Sequence, residues 1–594
     1  MLDSTMSNAE IAKLLKNVAE SYIIKDEKKF HFQIVAYQRA SEVILNLNSE
    51  LKDYYREKKL DDLPGIGKTL KRRLEEVFKK GKVAHFEWVL KDIPPSVFVL
   101  TDIPTFGPKK AYKLVVSFKL DDPKTVISDL EKIAKKGKIA KLEGFGEKSQ
   151  KDILQAIDEF KEGKGKTTRM ILPYAFEISE KIISYLKELE EVEKIEALGS
   201  LRRRSPTVGD IDLAVATKNA KKVIDYFINY PGKERVIEKG GVSASILVSG
   251  GRQIDLLIQP TEAFGSLLQH FTGSKNHNVA LREFALKKGL SLSEYGIKDL
   301  KKKDAPLRKY ENEEKFYNAV GLDFIPPPLR EDQGEIEHAK NHNLPKLVEL
   351  SDLKGDLHIH SNFPIEPSHD LGENTMEEML KKAKELNYEY LGFSEHNPSL
   401  SKHSNRKIYE ILKKRDEKIE QLKSSNKYVR IIKLLEIDIL PNGDIAIDDN
   451  NLNLLDSAIV SIHSIFSMNK AEMTKRVLRG LSHKKTKILA HPTGRLLLER
   501  PGFEMDWDKI FEFCKKNGKA LEINSWPKRL DLPDSIIKLA VNAGVKMIIN
   551  SDSHTVSQMD MQKYGIFMAQ RGWAKKNDIL NTLSYNEFSD WLKS

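Results

Sequence analysis

Apolar residues in the first quarter of the chain recur at helical spacing, in short amphipathic blocks separated by Gly and Pro turns. Almost nothing alternates as a strand would from Ser7 to about Lys161, so the pattern predicts an all-helical region. Between about Ile171 and Arg330 strand-like runs rich in branched apolar residues, such as Ile211 to Ala216 and Gln253 to Ile258, mix with helices. A mixed sheet domain is expected there. Pro326-Pro327-Pro328 and the charged run Arg330 to His342 break both periodicities and read as an interdomain connection, with a boundary near Pro345. Beyond it, apolar runs alternate with amphipathic helices: Glu389 to Phe393, Ile431 to Leu435, Ala458 to Ile462, Lys487 to Ala490, Ala520 to Ile523 and Lys546 to Asn550. That rhythm predicts a β/α barrel-like domain of parallel strands.

At 594 residues the chain is too long for one core, and three or four units are expected. A hydrophobic share of 40% and a charged share of 31% suit a folded protein with a heavily charged surface. The net charge of +11 favours polyanionic partners, nucleic acid first, although a surplus spread over so large a surface also serves solubility. The single cysteine, Cys514, excludes an internal disulfide framework and points to a reducing compartment. No apolar run is long enough to span a bilayer, and Met1 to Glu10 carries no leader pattern, so a cytoplasmic protein is expected.

Three segments of the helical region share one pattern: Leu63-Pro64-Gly65-Ile66-Gly67-Lys68, Ile103-Pro104-Thr105-Phe106-Gly107-Pro108-Lys109 and Leu142-Glu143-Gly144-Phe145-Gly146-Glu147-Lys148. Each reads as helix, Gly turn, helix. Gly lets backbone approach a phosphate, and the N–H groups opening the second helix point at it. One such turn would only mark a helix end; three resemble the helix-hairpin-helix motif of non-specific DNA binding. Gly65, Gly67, Gly107, Gly144 and Gly146 are the expected contacts, and Thr105 replaces the first Gly of the second copy.

Gly199-Ser200-Leu201-Arg202-Arg203 precedes Gly209-Asp210-Ile211-Asp212, which enters an apolar strand. Residues two apart on a strand face one side, so Asp210 and Asp212 can share a metal cluster with Asp255 of the next apolar run. A bare Asp-x-Asp pair would more often mark an exposed loop. Three acids among apolar residues instead demand compensating cations, and two magnesium ions held by carboxylates serve nucleotidyl transfer. Gly199 and Ser200 would offer donors to a triphosphate and Arg203 charge.

The region from about residue 10 to 330 resembles the family X DNA polymerases, and the likeness continues through His270-Phe271-Thr272-Gly273-Ser274, Asn278, Arg282 and Glu294-Tyr295. The resemblance implies Mg2+ or Mn2+ on Asp210, Asp212 and Asp255, and dNTP contacts from Gly199, Ser200, Arg203, Gly209, Phe271, Gly273 and Asn278. Arg282 would face the template. His270 stands where relatives commonly have Tyr, which bears on sugar discrimination. The position of a Schiff-base lysine in some relatives falls on Arg73, which stays protonated and cannot form the imine; Lys68 and Lys71 stand nearby.

In the last region Gly355-Asp356-Leu357-His358-Ile359-His360-Ser361 turns two imidazoles to one side of a strand. His396, Glu436, His463, His491, Asp552 and His554 each follow an apolar run, and parallel barrel strands deliver such ends to one rim. A lone histidine there is usually structural; this repetition points to bridged metal ions and phosphoester hydrolysis. Residues 350 to 575 resemble the PHP (polymerase and histidinol phosphatase) domain, most specifically at His491-Pro492-Thr493-Gly494-Arg495. That implies a trinuclear Mn2+, Zn2+ or Fe centre with 3′–5′ exonuclease and 3′-end-cleaning chemistry. The usual Ser-Asp-Gly is replaced by Ser368-His369-Asp370, where either His369 or Asp370 can ligate, and Glu395 replaces an Asp before His396. Arg495 and Lys528 are candidate phosphate contacts.

The expected organisation is multidomain, α+β and α/β. A helical DNA-binding domain (1–90) precedes a fingers-like region with two hairpins (91–170), a polymerase-beta-like palm (171–262), a thumb (263–330), a linker (331–350) and a distorted (β/α)7-barrel PHP domain (351–594). The expected partners are dNTPs and gapped, nicked or 3′-blocked double-stranded DNA, with no membrane and a monomeric protein. A nuclease with a feeble polymerase core and a non-catalytic DNA scaffold are the competing readings.

Overall fold

The computed structural model describes residues 6, 8–45, 51, 55, 60, 66–103, 106–161, 169–248, 252–498 and 500–594. They form two compact units, Met1–Arg169 and Met170–Ser594.

The described part of the first unit is helical. In Lys68–Lys80 the residues Leu70, Leu74, Val77 and Phe78 are buried at helical spacing, and Gly81, at φ +70°, ends the helix in the left-handed conformation. The unit holds two cores, one from Ile11 to Val89 and one from Ile93 to Ile157.

The second unit begins with a small antiparallel pair, β1 (Met170–Ile171) and β3 (Thr207–Val208). Beside it lies a five-stranded sheet of β2 (Lys194–Ala197), β4 (Ile211–Ala216), β5 (Lys233–Lys239), β6 (Ser243–Val248) and β7 (Arg252–Gln259), in the order β2-β4-β7-β6-β5. Only the β4/β7 pair is parallel. The helices Phe264–Thr272 and Lys275–Lys287, the hairpin β8 (Leu290–Ser293) and β9 (Gly296–Asp299), and the helix Glu313–Val320 follow.

Residues 331–350, expected as a linker, are folded. They carry the helix Glu335–Lys340, and Ala339 shares a core with Leu329 and Trp573. Two of the charges that make this stretch look like a tether, Arg330 and Glu335, point inward, while Glu337, Lys340 and His342 stay exposed. Glu335 accepts from the Asp332 and Gln333 backbone N–H groups and contacts His277 at 2.6 Å, while fully buried Arg330 donates to Glu313 at 2.6 Å. Val348 then donates to the Ala574 carbonyl.

The last region has parallel strands in two sheets. One holds β10 (Gly355–Ile359), β11 (Tyr390–Phe393) and β12 (Arg430–Lys433). The other holds β13 (Glu436–Asp438), β14 (Ala458–Ser461), β15 (Thr486–Leu489), β16 (Ala520–Asn524) and β17 (Met547–Asn550). Helices alternate with the strands, which are buried on both faces, as their unbroken apolar runs require. The sheets meet through isolated parallel bridges at strand ends, His396 with Glu436 and Ile359 with Ser553. Among the described residues no continuous ladder closes the ring.

Candidate metal centres

Asp212 on β4 and Asp255 on β7 are direct partners across the parallel pair. As direct partners the two carboxylates share one face of the sheet, half-buried among the apolar residues Ile211, Leu213, Ile254 and Leu256. Burial, then the charges of Asp255 and Asp210, push the Asp212 carboxyl up to about 7. Burial also raises Asp255, against hydrogen bonds from Ser245 and Gln253 that hold it ionised. Asp210 is exposed one residue before β4 and adds its field to both. Such mutual repulsion is what a divalent cation relieves. The three acids are not among the groups whose donor atoms all lie within 4.8 Å of one another.

Gly199 opens a short helix, Gly199–Arg202, at φ +56°, and a Cβ there would lie 3.1 Å from Asp212 Oδ2. The close approach of this turn to the carboxylate requires glycine. Ser200 follows on the same turn, and Gly209 leads into Asp210. Arg203 donates to Glu331 at 3.0 Å and to the Thr272 carbonyl at 2.5 Å. Gly273 borders it, since a Cβ there would stand 3.2 Å from Arg203 Nη1. Phe271 is half-buried at the end of its helix. Asn278 is buried with its amide engaged, donating to the His270 carbonyl at 2.7 Å and accepting from Gln269 at 2.9 Å. It therefore braces the helix carrying His270 and Phe271. Arg282 lies half-buried on the next helix.

In the helical unit Gly67 and Gly107 cap helices, Gly146 precedes one, and no atom lies within 4 Å of a Cβ added at any of the three. The first N–H groups of those helices, Pro108 excepted, have no partner within the helix. Gly144 turns at φ +80°. Gly65 and Thr105 lie outside the described residues. Arg73 donates to the Tyr37 hydroxyl and lies over its ring.

The last region brings the expected histidines and acids together. His358 and His360 lie at the end of β10, and His396, His463, His491, Asp552 and His554 just beyond the ends of β11, β14, β15 and β17, while Glu436 starts β13 and His369 and Asp370 come from the loop after β10. Four groups have donor atoms within 4.8 Å of one another: His360, His396 and His554; His358, His360 and Asp552; His396, Glu436 and His463; and His369, Asp438 and His463. His491 joins them 2.9 Å from Glu436. Both residues left open in the sequence converge here. Asp370 contacts His396 at 2.9 Å and His554 at 3.3 Å, whereas His369 contacts Asp438 at 3.1 Å. His491, at φ +28°, and Asp552, at φ +56°, leave their strands in backbone conformations that L-residues rarely adopt, and so turn inward.

Burial and His554 push His360 down to about 3, and burial with Arg529 pushes His491 down to about 4, so both present neutral imidazole, the ligating form. At His396 burial is outweighed by Glu436 and Asp370, which raise it to about 10. Burial of Glu436 is likewise outweighed by His396, His358 and His463, which hold it well below the carboxylate range.

The test for metal lies in the hydrogen bonds. His358 Nε2, both nitrogens of His360, His396 Nδ1 and Glu436 Oε2 are buried without a hydrogen-bond partner. Yet Glu436 Oε2 stands 3.1 Å from His358 and 3.0 Å from His396, and Asp552 Oδ1 stands 3.3 Å from His360. Polar atoms crowded to this distance out of hydrogen-bonding geometry fit a shared cation, and the mixed imidazole and carboxylate set fits borderline divalent metals.

Three acids went unread in the sequence. Asp438 follows Glu436 at the two-residue period of a strand, and that spacing could have revealed it. Glu522 holds His358 Nδ1 at 2.7 Å and accepts from the His491 backbone N–H at 2.7 Å; its signal was an acid inside the apolar run of β16. Asp356 is fully buried and accepts from the Ser551 backbone N–H. Glu395 is held by buried Arg415. Arg495 is not a pocket residue, for its guanidinium donates to the Arg529 and Leu530 carbonyls. It braces the loop of Arg529, which does reach the cavity. That cavity, about 560 Å³, is bordered by Arg500, Arg529, Phe466 and Trp526 as well as the histidines, and Lys528 is not in its lining.

The DNA polymerase beta thumb family model matches residues 267–331, the helix-hairpin-helix domain model residues 6–83 and the PHP domain model residues 356–526. The chain is 32% identical over 593 residues to a DNA polymerase/3′-5′ exonuclease PolX of Bacillus subtilis, covering 99% of this chain and 100% of the relative. A probable phosphatase of Clostridium acetobutylicum is 28% identical over 34% of this chain and 78% of its own length. DNA polymerase lambda of Rattus norvegicus is 21% identical over 50% of each.

Proposed function

Because the chain belongs to the family X DNA polymerases that carry a PHP domain, we propose that it extends 3′ ends across short DNA gaps in repair and removes wrong or blocked 3′ termini at a second site. The observation that carries this reading is the presence in one chain of two separate centres, the Asp212–Asp255 pair beside the Gly199 turn and the imidazole–carboxylate cluster of the last region.

Asp210, Asp212 and Asp255 would hold Mg2+ or Mn2+, which when bound lowers the cost of forming the attacking oxyanion and of releasing pyrophosphate. Gly199, Ser200 and Arg203 receive the triphosphate, Gly209 sets the first acid, and Phe271 and Gly273 border the sugar and base. Asn278 supports that wall through the His270 carbonyl. Arg282 faces the template. The hairpin glycines Gly67, Gly107, Gly144 and Gly146 let DNA phosphates reach backbone N–H groups without reading bases.

At the second centre His358, His360, Asp370, His396, Glu436, His463, His491, Asp552 and His554, together with His369 and Asp438, would hold Mn2+, Zn2+ or Fe, which supplies an activated water and charge for the scissile phosphate. Arg500 and Arg529 are placed to meet that phosphate, and Trp526 and Phe466 offer faces to the terminal base.

The test is a labelled one-nucleotide-gapped duplex with Mg2+ or Mn2+, with and without dNTPs. Extension with dNTPs and shortening without them is the expected result. Asp212→Asn should lose extension alone and His360→Ala shortening alone. Shortening under both conditions with no extension by the unmutated protein overturns the polymerase half of the reading.

A further inference from the structure

The three arginines after the Gly199 turn are each tied down by a different part of the second unit. Arg202 donates to Thr272 Oγ1 at 2.6 Å and to Glu313 at 2.7 Å. Arg203 donates to Glu331, and Arg204 to Gln570 while lying 4.2 Å over the Phe567 ring. Gln570 and Phe567 belong to the helix Gln562–Arg571, which lies within the last, PHP-containing region. The final residue of that helix completes the arrangement. Arg571 donates to the Arg203 carbonyl at 2.8 Å and to the same Glu331 oxygen at 2.8 Å, and is itself fixed by Asp534 at 2.8 Å.

We propose that Arg571 is a positioning residue for nucleotidyl transfer, so that a helix of the hydrolytic region forms part of the dNTP site. The proposal rests on the polymerase reading above. Its physics has two parts. Arg571 clamps the backbone carbonyl of Arg203, which fixes the end of the turn whose first residue approaches Asp212. It also shares Glu331. A carboxylate paired with one arginine would hold that guanidinium back from a phosphate; a carboxylate divided between two leaves Arg203 oriented yet still cationic toward an incoming triphosphate. The side chain of Arg571 is 7% exposed, so solvent screens these contacts little. Among the described residues the hydrogen bonds and ion pairs of Arg571 go to Arg203, Glu331 and Asp534 and not to the imidazole cluster, so the two activities should part on its removal.

The experiment uses the full chain and steady-state gap filling, with KM for dNTP and kcat determined separately and shortening of a single-stranded 3′ end measured in parallel. Arg571→Ala should raise the dNTP KM about tenfold or more, because a small misplacement of a binding group is costly. Shortening should stay within about twofold. Arg571→Lys keeps the charge but cannot fork between two acceptors, and should recover part of the KM. A dNTP KM within twofold of the unmutated protein in Arg571→Ala overturns the proposal. Should Arg571→Ala lose both activities through unfolding, seen as a lost thermal transition, Glu331→Gln decides: an altered dNTP KM supports the shared-carboxylate role and an unaltered one overturns it. If the unmutated protein does not extend at all, the polymerase reading falls first, an outcome distinct from an unmoved KM.

Discussion

His463 Nδ1 lies 2.7 Å from Asp438 Oδ1, and the same carboxylate oxygen is 3.1 Å from His369 Nε2. A carboxylate between two imidazoles at the outer side of the cluster has the makings of one ion's share of a multinuclear site. Asp438→Asn should reduce bound metal by one ion per chain, counted by elemental analysis after dialysis, and 3′-end shortening should fall well beyond the ~10–100-fold typical of losing a supporting partner. Gap filling should persist. An unchanged metal count would make Asp438 a hydrogen-bonding brace only.

Glu522 is fully buried and serves the cluster from behind, orienting His358 through Nδ1 while accepting from the His491 backbone. Glu522→Gln keeps the shape but removes the charge that fixes the His358 tautomer. Metal affinity should weaken by ~10–100-fold, read by competition with a chelator, and extra Mn2+ should restore shortening. Failure of Mn2+ to rescue would count against this supporting role.

Much of this was legible in the sequence because periodicity and chemistry agreed. Histidines and acids at the ends of apolar runs must meet on one rim if the strands are parallel, and His358, His396, His463 and His491 do. What escaped were residues whose partners are far along the chain. Arg330 to His342 looked like a tether because Arg330 and Glu335 were counted without Glu313 and His277, their buried partners. Arg495 looked like a phosphate ligand because nothing local shows that its Nε and Nη2 turn to two carbonyls of the Arg529 loop, outside the lining of the cavity. Glu522 was hidden because a single acid in an apolar run is ambiguous until its neighbours are known, whereas Asp438, two residues from Glu436 on one strand, was open to the same period-two argument that pairs Asp210 with Asp212.

The buried pair Arg330–Glu313 gives a stability prediction. Arg330 is fully buried, Glu313 is 5% exposed, and Arg202 shares the same carboxylate. Glu313→Ala leaves two guanidinium groups without their counter-charge, at a cost of ~3–5 kcal/mol, the range for breaking one partner out of a buried pair. Chemical denaturation should show that loss. Because Arg202 also holds Thr272 beside the Arg203 contacts, dNTP KM should rise in the folded fraction. A loss below ~1 kcal/mol would mean that water reaches the pair and screens it.

Gly199 links backbone conformation to chemistry most directly. At φ +56° an alanine incurs the left-handed penalty of ~1–2 kcal/mol, and its methyl would stand 3.1 Å from Asp212 Oδ2. That oxygen belongs to a carboxylate already raised to about 7 by burial, Asp255 and Asp210, so it has little freedom to move without leaving the place where the cation is needed. Gly199→Ala should therefore lose stability of that order and at least tenfold in gap-filling kcat, more than the stability change alone explains, while shortening of 3′ ends stays within about twofold. Measuring both activities on one preparation separates the cases. Parallel loss would reduce Gly199 to a folding requirement, whereas selective loss of extension places the turn and Asp212 in one reaction site.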